Sequence, residues 1–146
     1  MKTLLLAFTL LVGCASTPPQ TAMEPVDHAA EAREVSANGV TLRLVRIFDD
    51  IITCEVINLA GDPVLVDRDA IILVTPTGER RARLPGGIQT TYQVPASGSH
   101  VVNVRYNLDG ILADDVARLD FTRAILRAGQ PIALPPLAIK PRQQSR

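Results

Sequence analysis

Apolar and polar residues alternate along most of this chain with a period of two, the spacing that turns one face of a β-strand to a core and the other to water. Val40-Thr41-Leu42-Arg43-Leu44 alternates in this way, and Phe48-Asp49-Asp50 interrupts the pattern before Ile51. Residues 51–59 alternate again, with Ile52, Cys54 and Val56 on one face and Thr53 and Glu55 on the other. Gly61-Asp62-Pro63 is a strong turn signal and leads into a short strand at 64–66. Residues 70–74 are apolar almost without interruption, which predicts a central strand. Pro76-Thr77-Gly78-Glu79 predicts a hairpin into residues 80–84, and Pro85-Gly86-Gly87 a break before 88–94. Pro95-Ala96-Ser97-Gly98 turns the chain into 101–108, where Val102, Val104 and Tyr106 share a face. Ala117, Leu119 and Phe121 form another alternating set. A last strand over 132–139 carries Pro135 and Pro136, which cannot donate ladder hydrogen bonds and so fit an edge.

About eight or nine short strands separated by turn signals predict an all-β, antiparallel β-sandwich with Greek-key connections. Residues 109–120 fit this least well, since Ile111-Leu112-Ala113-Asp114-Asp115 also suits a helical turn crossing between sheets. Three segments carry a resemblance: Glu55-Val56-Ile57-Asn58 before a Gly-Asp-Pro turn, the Thr75-Pro76-Thr77-Gly78 hairpin, and Val94-Pro95-Ala96-Ser97-Gly98 before a long strand. Their order resembles the immunoglobulin-like domains of bacterial envelope lipoproteins over residues 39–139. With no Trp and no cysteine pair to pin it, such a core relies on Val, Ile and Leu packing.

The first residues follow a different pattern. Lys2 gives a short positive region, and residues 4–12 give an apolar run too short to span a bilayer permanently. The run closes on Leu11-Val12-Gly13-Cys14, with small residues on both sides of the cysteine. This tetrad resembles the lipobox of bacterial lipoproteins. The resemblance implies cleavage after Gly13, lipidation of Cys14 and acylation of its new amino group. Two or three acyl chains, at about 0.8 kcal/mol per buried methylene, make a stable anchor where one is marginal. The same resemblance implies an address: lipoproteins without Asp directly after the acylated cysteine generally move to the outer membrane, so Ala15, followed by Ser16, points there, with the domain expected to face the periplasm. The expected organisation is a signal peptide at 1–13, a lipidated cysteine and Pro-rich tether at 14–36, an immunoglobulin-like sandwich at 37–140 and a basic tail at 141–146.

Removing residues 1–13 leaves 133 residues, enough for one domain with tails. Fifteen basic residues balance fifteen acidic ones in the full chain, which offers no general field for nucleic acid. Of the two cysteines, Cys14 is assigned to lipid, so Cys54 has no partner within the chain and reads as a buried, inert thiol, with an intermolecular bond or a reactive sulfur as the alternative.

Candidate chemistry is sparse. His28 falls in the tether and His100 opens a strand; no nucleophile motif or phosphate-cradling loop occurs. Asp49-Asp50, Asp67-Arg68-Asp69 and Asp114-Asp115 lack the oxygen-ligand spacing of a calcium loop. No cofactor, metal site or catalytic residue is therefore assigned, and the chain reads as a non-enzyme. Glu79-Arg80-Arg81-Ala82-Arg83 is the strongest charge cluster, and Arg80, Arg81 and Arg83 are the candidate interaction residues. In a strand, Arg81 and Arg83 would share a face. The expected function is a lipid-anchored, non-catalytic interaction module for a cell-envelope assembly, held to the membrane through Cys14 and bound to an envelope protein partner. A periplasmic lipoprotein that binds a small ligand or metal is the alternative.

Overall fold

The structure, a computed structural model, describes residues 33–141. The expected signal peptide, the lipobox with Cys14, the tether up to residue 32 and the tail from 142 lie outside the described residues. The domain is all-β and β-sandwich-like, and every strand pair in its three sheets is antiparallel.

The first layer is a four-stranded sheet in the order β1-β2-β3-β8, formed by β1 (Glu34–Ala37), β2 (Val40–Phe48), β3 (Ile51–Asn58) and β8 (Ser99–Arg105). The β1 strand lies within the segment expected to be tether, because Glu-Val-Ser-Ala reads as polar when taken alone. What makes it a strand is the Asn38-Gly39 turn that follows. Both residues adopt positive φ, 53° and 74°, as tight hairpins require. At Gly39 a side chain would also meet the Ala60 Cβ at 3.1 Å. A bulge then shifts the register of β2 against β3 between Leu44 and Arg46. Val45 is the extra residue and faces solvent, and inward positions pass from Val40 and Leu42 to Ile47.

Two further four-stranded sheets form the second layer. One has the order β11-β10-β4-β7, from β4 (Val64–Asp67), β7 (Thr91–Val94), β10 (Ile125–Arg127) and β11 (Gln130–Pro131). The other has the order β12-β9-β5-β6, from β5 (Ile72–Val74), β6 (Arg80–Arg81), β9 (Ala117–Asp120) and β12 (Leu137–Ile139). Each strand of one sheet leads along the chain to a strand at the same place in the other. The pairs are β4 to β5, β6 to β7, β9 to β10 and β11 to β12. The two sheets are thus halves of one four-stranded layer in which every strand is interrupted at the same level. Between β4 and β5 the interruption is a 3-10 turn at Arg68–Ala70, opened by Asp67 accepting the Asp69 N–H at 2.9 Å. Pro135 and Pro136 occupy the corresponding gap before the edge strand β12.

This break accounts for several differences from the expected elements. Residues 80–84 yield only the two-residue β6, the strand expected over 88–94 starts at Thr91, and that expected over 132–139 is confined to Leu137–Ile139. Likewise β8 runs over Ser99–Arg105 rather than 101–108. The helical turn expected near 111–115 is absent. Ile111 and Asp115 each donate one hydrogen bond three residues back, to Leu108 O and Leu112 O, so the crossover is two tight turns. Pro141, placed in the tail from sequence, is buried.

One continuous core unites the layers. Leu42, Ile52, Val56, Leu73, Leu119, Phe121, Ile125 and Leu137 are among its buried side chains, each contributing about 1.5–3 kcal/mol. Two polar groups are fully buried and satisfied. The Tyr106 hydroxyl donates to Ile71 O at 2.8 Å. Asn58, the last residue of β3, donates through Nδ2 to Asp62 O at 2.8 Å and to Pro95 O at 3.1 Å, and accepts the Ala60 N–H at 3.2 Å. Its backbone N–H donates to Gly98 O at 2.8 Å. Asn58 therefore ties the β3–β4 crossover to the β7–β8 turn. Replacing it with Ala strands carbonyls away from water, and we expect a loss of about 3 kcal/mol in urea unfolding of the full chain. Thr53→Ala, which removes one hydrogen bond to the exposed Asn103 and leaves no buried group unpaired, should lose well under half as much.

Candidate functional site

The three candidate arginines lie around β6 and the connection that follows it, and they differ in what they touch. Arg80 is the most open, its side chain 60% exposed, and its Nη2 meets Asp120 Oδ2 at 2.8 Å. Arg81 is 19% exposed. It donates through Nη1 to Asn107 O and Asp109 O, both at 2.8 Å, and through Nη2 to Glu79 at 2.7 Å. Arg83, 11% exposed, pairs through Nε with Asp69 and donates through Nη1 to Leu84 O and Gly86 O. Because β6 ends at Arg81, strand alternation does not set the direction of Arg83. Residues 82–90 do so, and they are held by Arg68 as well. Arg68 Nη2 donates to Gly86 O at 2.6 Å and lies so close to Gly87 that a side chain there would stand 2.7 Å from it.

Two of the three guanidinium groups are thus bound to the chain's own main-chain carbonyls as well as to carboxylates. The hydrogen bond from Arg81 holds the Glu79 carboxyl below its ordinary range. Asp120 is pushed up by burial, but hydrogen bonds from Thr122 and Arg80 outweigh this and leave it lowered. Of the cluster, Arg80 offers the most surface to another molecule.

Arg81 also braces one wall of an open pocket of about 710 Å³ at the end of the sandwich. Ile47, Leu84 and Leu108 supply its apolar lining, and Asp49, Asp50 and Asp109 its acidic groups. Asp50 is engaged by Arg105, whose Nη2 lies 2.7 Å from Oδ2 and whose Nε lies 3.2 Å from both oxygens. That hydrogen bond lowers the Asp50 pKa. A second open pocket, of about 600 Å³, borders Arg80, Asp120 and Arg123.

The other carboxylates weighed from sequence serve turns. Asp67 caps the 3-10 turn, Asp69 pairs with Arg83, and Asp115 accepts the Leu112 N–H at 2.8 Å. His100 is half-buried, its ring 4.5 Å from that of Tyr92. Tyr106 and Cys54 lie in the core. No family model matches this chain, and no curated protein or solved structure does either. Among the described residues, no group of three or more His, Cys, Asp or Glu is placed to hold a metal ion, and no helix is long and apolar enough to cross a membrane.

Sequence reasoning missed Asn58 and Arg105 as organising residues. The available signal for Asn58 was its position at a strand end directly before a Gly-Asp-Pro turn. Arg105 gave none, because its partner is 55 positions away.

Two titrations follow. Burial pushes the Cys54 thiol up to about 12. Ellman's reagent should leave it unmodified in the native chain at pH 8 and modify it in urea. Since an unfolded thiol ionises near 8.5, stability should also fall as the pH rises from about 8.5 towards 12, and Cys54→Ala should flatten that limb. Asp50 shifts the opposite way. Its stabilisation is present above about pH 4, the unfolded value, and is lost as the pH falls through the lower folded value. Asp50→Asn should therefore flatten the acid limb of stability against pH below about 4.

Proposed function

We propose that this chain is a lipid-anchored, non-catalytic module of a bacterial cell envelope. The observation that carries the reading is Leu11-Val12-Gly13-Cys14 at the close of an apolar run behind Lys2. In this reading the peptide 1–13 is removed, Cys14 carries the acyl chains, and Ala15 and Ser16 direct the product to the outer membrane, where the domain faces the periplasm. The residues up to Arg33 then connect the anchor to an immunoglobulin-like sandwich with Greek-key connections. Passage of the chain from one layer to the other after β3, β7 and β8 supports that topology.

Such a module works by holding a surface at a fixed reach from the membrane, and its partner is another envelope protein. Arg80, with its open guanidinium, and the solvent-facing Ile88 are surface features suited to contact. The open pocket of about 710 Å³ favours small-ligand binding as a second reading.

Metabolic labelling with an alkyne fatty acid tests the anchor. The native chain should take up label and sediment with membranes. Cys14→Ala should lose the label and accumulate as the longer, uncleaved precursor. A native chain that takes up no label overturns the reading. A photo-crosslinker at Arg80 or Ile88, used in the producing cells, should capture one dominant envelope protein.

A further inference from the structure

The sandwich has unequal edges. In β8 the main-chain groups of His100, Val102 and Val104 face β3, as shown by the flanking bonds in the same phase: Asn58 N–H to Gly98 O and Tyr106 N–H to Asp50 O. Those of Ser99, Val101, Asn103 and Arg105 therefore point away from β3. Arg105 O accepts the Leu84 N–H at 2.7 Å, which closes that end. Ser99, Val101 and Asn103 have no main-chain partner on this side among the described residues. The remaining edges are shorter or guarded. The outer groups of β1 belong to Glu34, a charge, and Ser36. Thr91 O in β7 is taken by Gln89. Pro131, Pro135 and Pro136 protect the β11–β12 edge. Between Ser99 and Val104 there is neither a charged residue nor a proline or bulge, the usual defences of an edge.

We propose that this edge of β8 pairs, antiparallel, with β8 of a second copy of the same chain. The free groups choose that occupant. They are symmetric about Val101, so a twofold axis through it sets Val101 against Val101 of the second copy and Ser99 against Asn103. Every main-chain donor and acceptor of Ser99, Val101 and Asn103 in both copies is then satisfied, in about six hydrogen bonds. Charge agrees with this register. Val101 lies across from Glu55, and Glu55 across from Arg43. On the outer face the joined row reads Arg43, Glu55, Val101, Val101, Glu55, Arg43, so two valines, not two like charges, meet at the axis. Val101 is half exposed, and its apolar surface would be covered by its counterpart. The two four-stranded sheets become one of eight strands. This pairing is independent of the lipid anchor and stands if the anchor assignment fails.

Disulfide trapping tests it directly. A hydrogen-bonded antiparallel pair places its Cα atoms about 5.5 Å apart, within disulfide reach. Full-length Val101→Cys, mildly oxidised in intact producing cells, should give a species of twice the chain mass. Leu59→Cys, exposed in the β3–β4 connection, should not. Cys54 is buried and remains in every variant. By sedimentation velocity in detergent, the native chain should be a dimer. Val101→Lys, which sets two like charges at the axis, should weaken it at least about tenfold while leaving the far-UV circular dichroism of the folded chain unchanged. A Val101→Cys chain that stays monomeric, or that joins a different polypeptide, overturns the proposal. So does a Val101→Lys chain that sediments as the native dimer.

Discussion

Of the hydrogen bonds that couple the two layers of this domain, those of one buried amide fix two connections at once. Asn58 stands where β3 leaves the first sheet, and its side chain reaches the carbonyls of Asp62 and Pro95 on two separate connections. Desolvating an amide is costly unless it is paired, so the arrangement holds only while both connections keep their positions. Core packing alone would allow the layers to slide, because Val, Ile and Leu contacts carry little direction. Asn58 supplies direction to the turn at Gly98 and the start of β4, and Tyr106 does the same at Ile71 O.

The transverse break in the second layer raises a related problem, since four strands interrupted at one level lose a row of ladder bonds. The chain replaces them locally. Asp67 N–H donates to Ala124 O, Arg68 N–H to Thr90 O, and Ala124 N–H to Phe121 O. Side chains complete the repair, with Arg68 and Arg83 both reaching Gly86 O and Asp69 holding Arg83. Much of the charge that stands out in the sequence is therefore spent on bridging this seam. The seam explains why a run of arginines on a short hairpin leaves Arg80 as its most open member.

How much of this was legible in the sequence depends on where the period of two holds. It holds in β3, β8 and β9, and their inward residues Ile52, Cys54, Val56, Val102, Val104, Ala117 and Leu119 were all readable. It fails in β2, where the bulge at Val45 changes the phase, and in β1, whose residues are mostly polar and are ordered by the turn after them. Strands cut short by the seam read as longer than they are, because apolar content continues through a break that only tertiary hydrogen bonds define. The site was less legible still. Arg81 reaches carbonyls 26 and 28 positions away, and no local pattern encodes such pairs.

The hairpin of β1 and β2 has its closed end at Asn38-Gly39 and its open end at Glu34. The turn is fastened to the other layer, with Asn38 donating to Ala133 O and Arg127 donating to Asn38 O. At the open end, Arg43 is held between Glu34 and Glu55 in solvent. Traction arriving along the chain from before Arg33 therefore meets exposed ion pairs first and the anchored turn last. Under load the hairpin would peel from Glu34 towards Asn38 one bond at a time, while Val40 and Leu42 stay seated in the core. Only Val35 and Ala37 leave the core as the first strand yields, and the strands behind it stay packed.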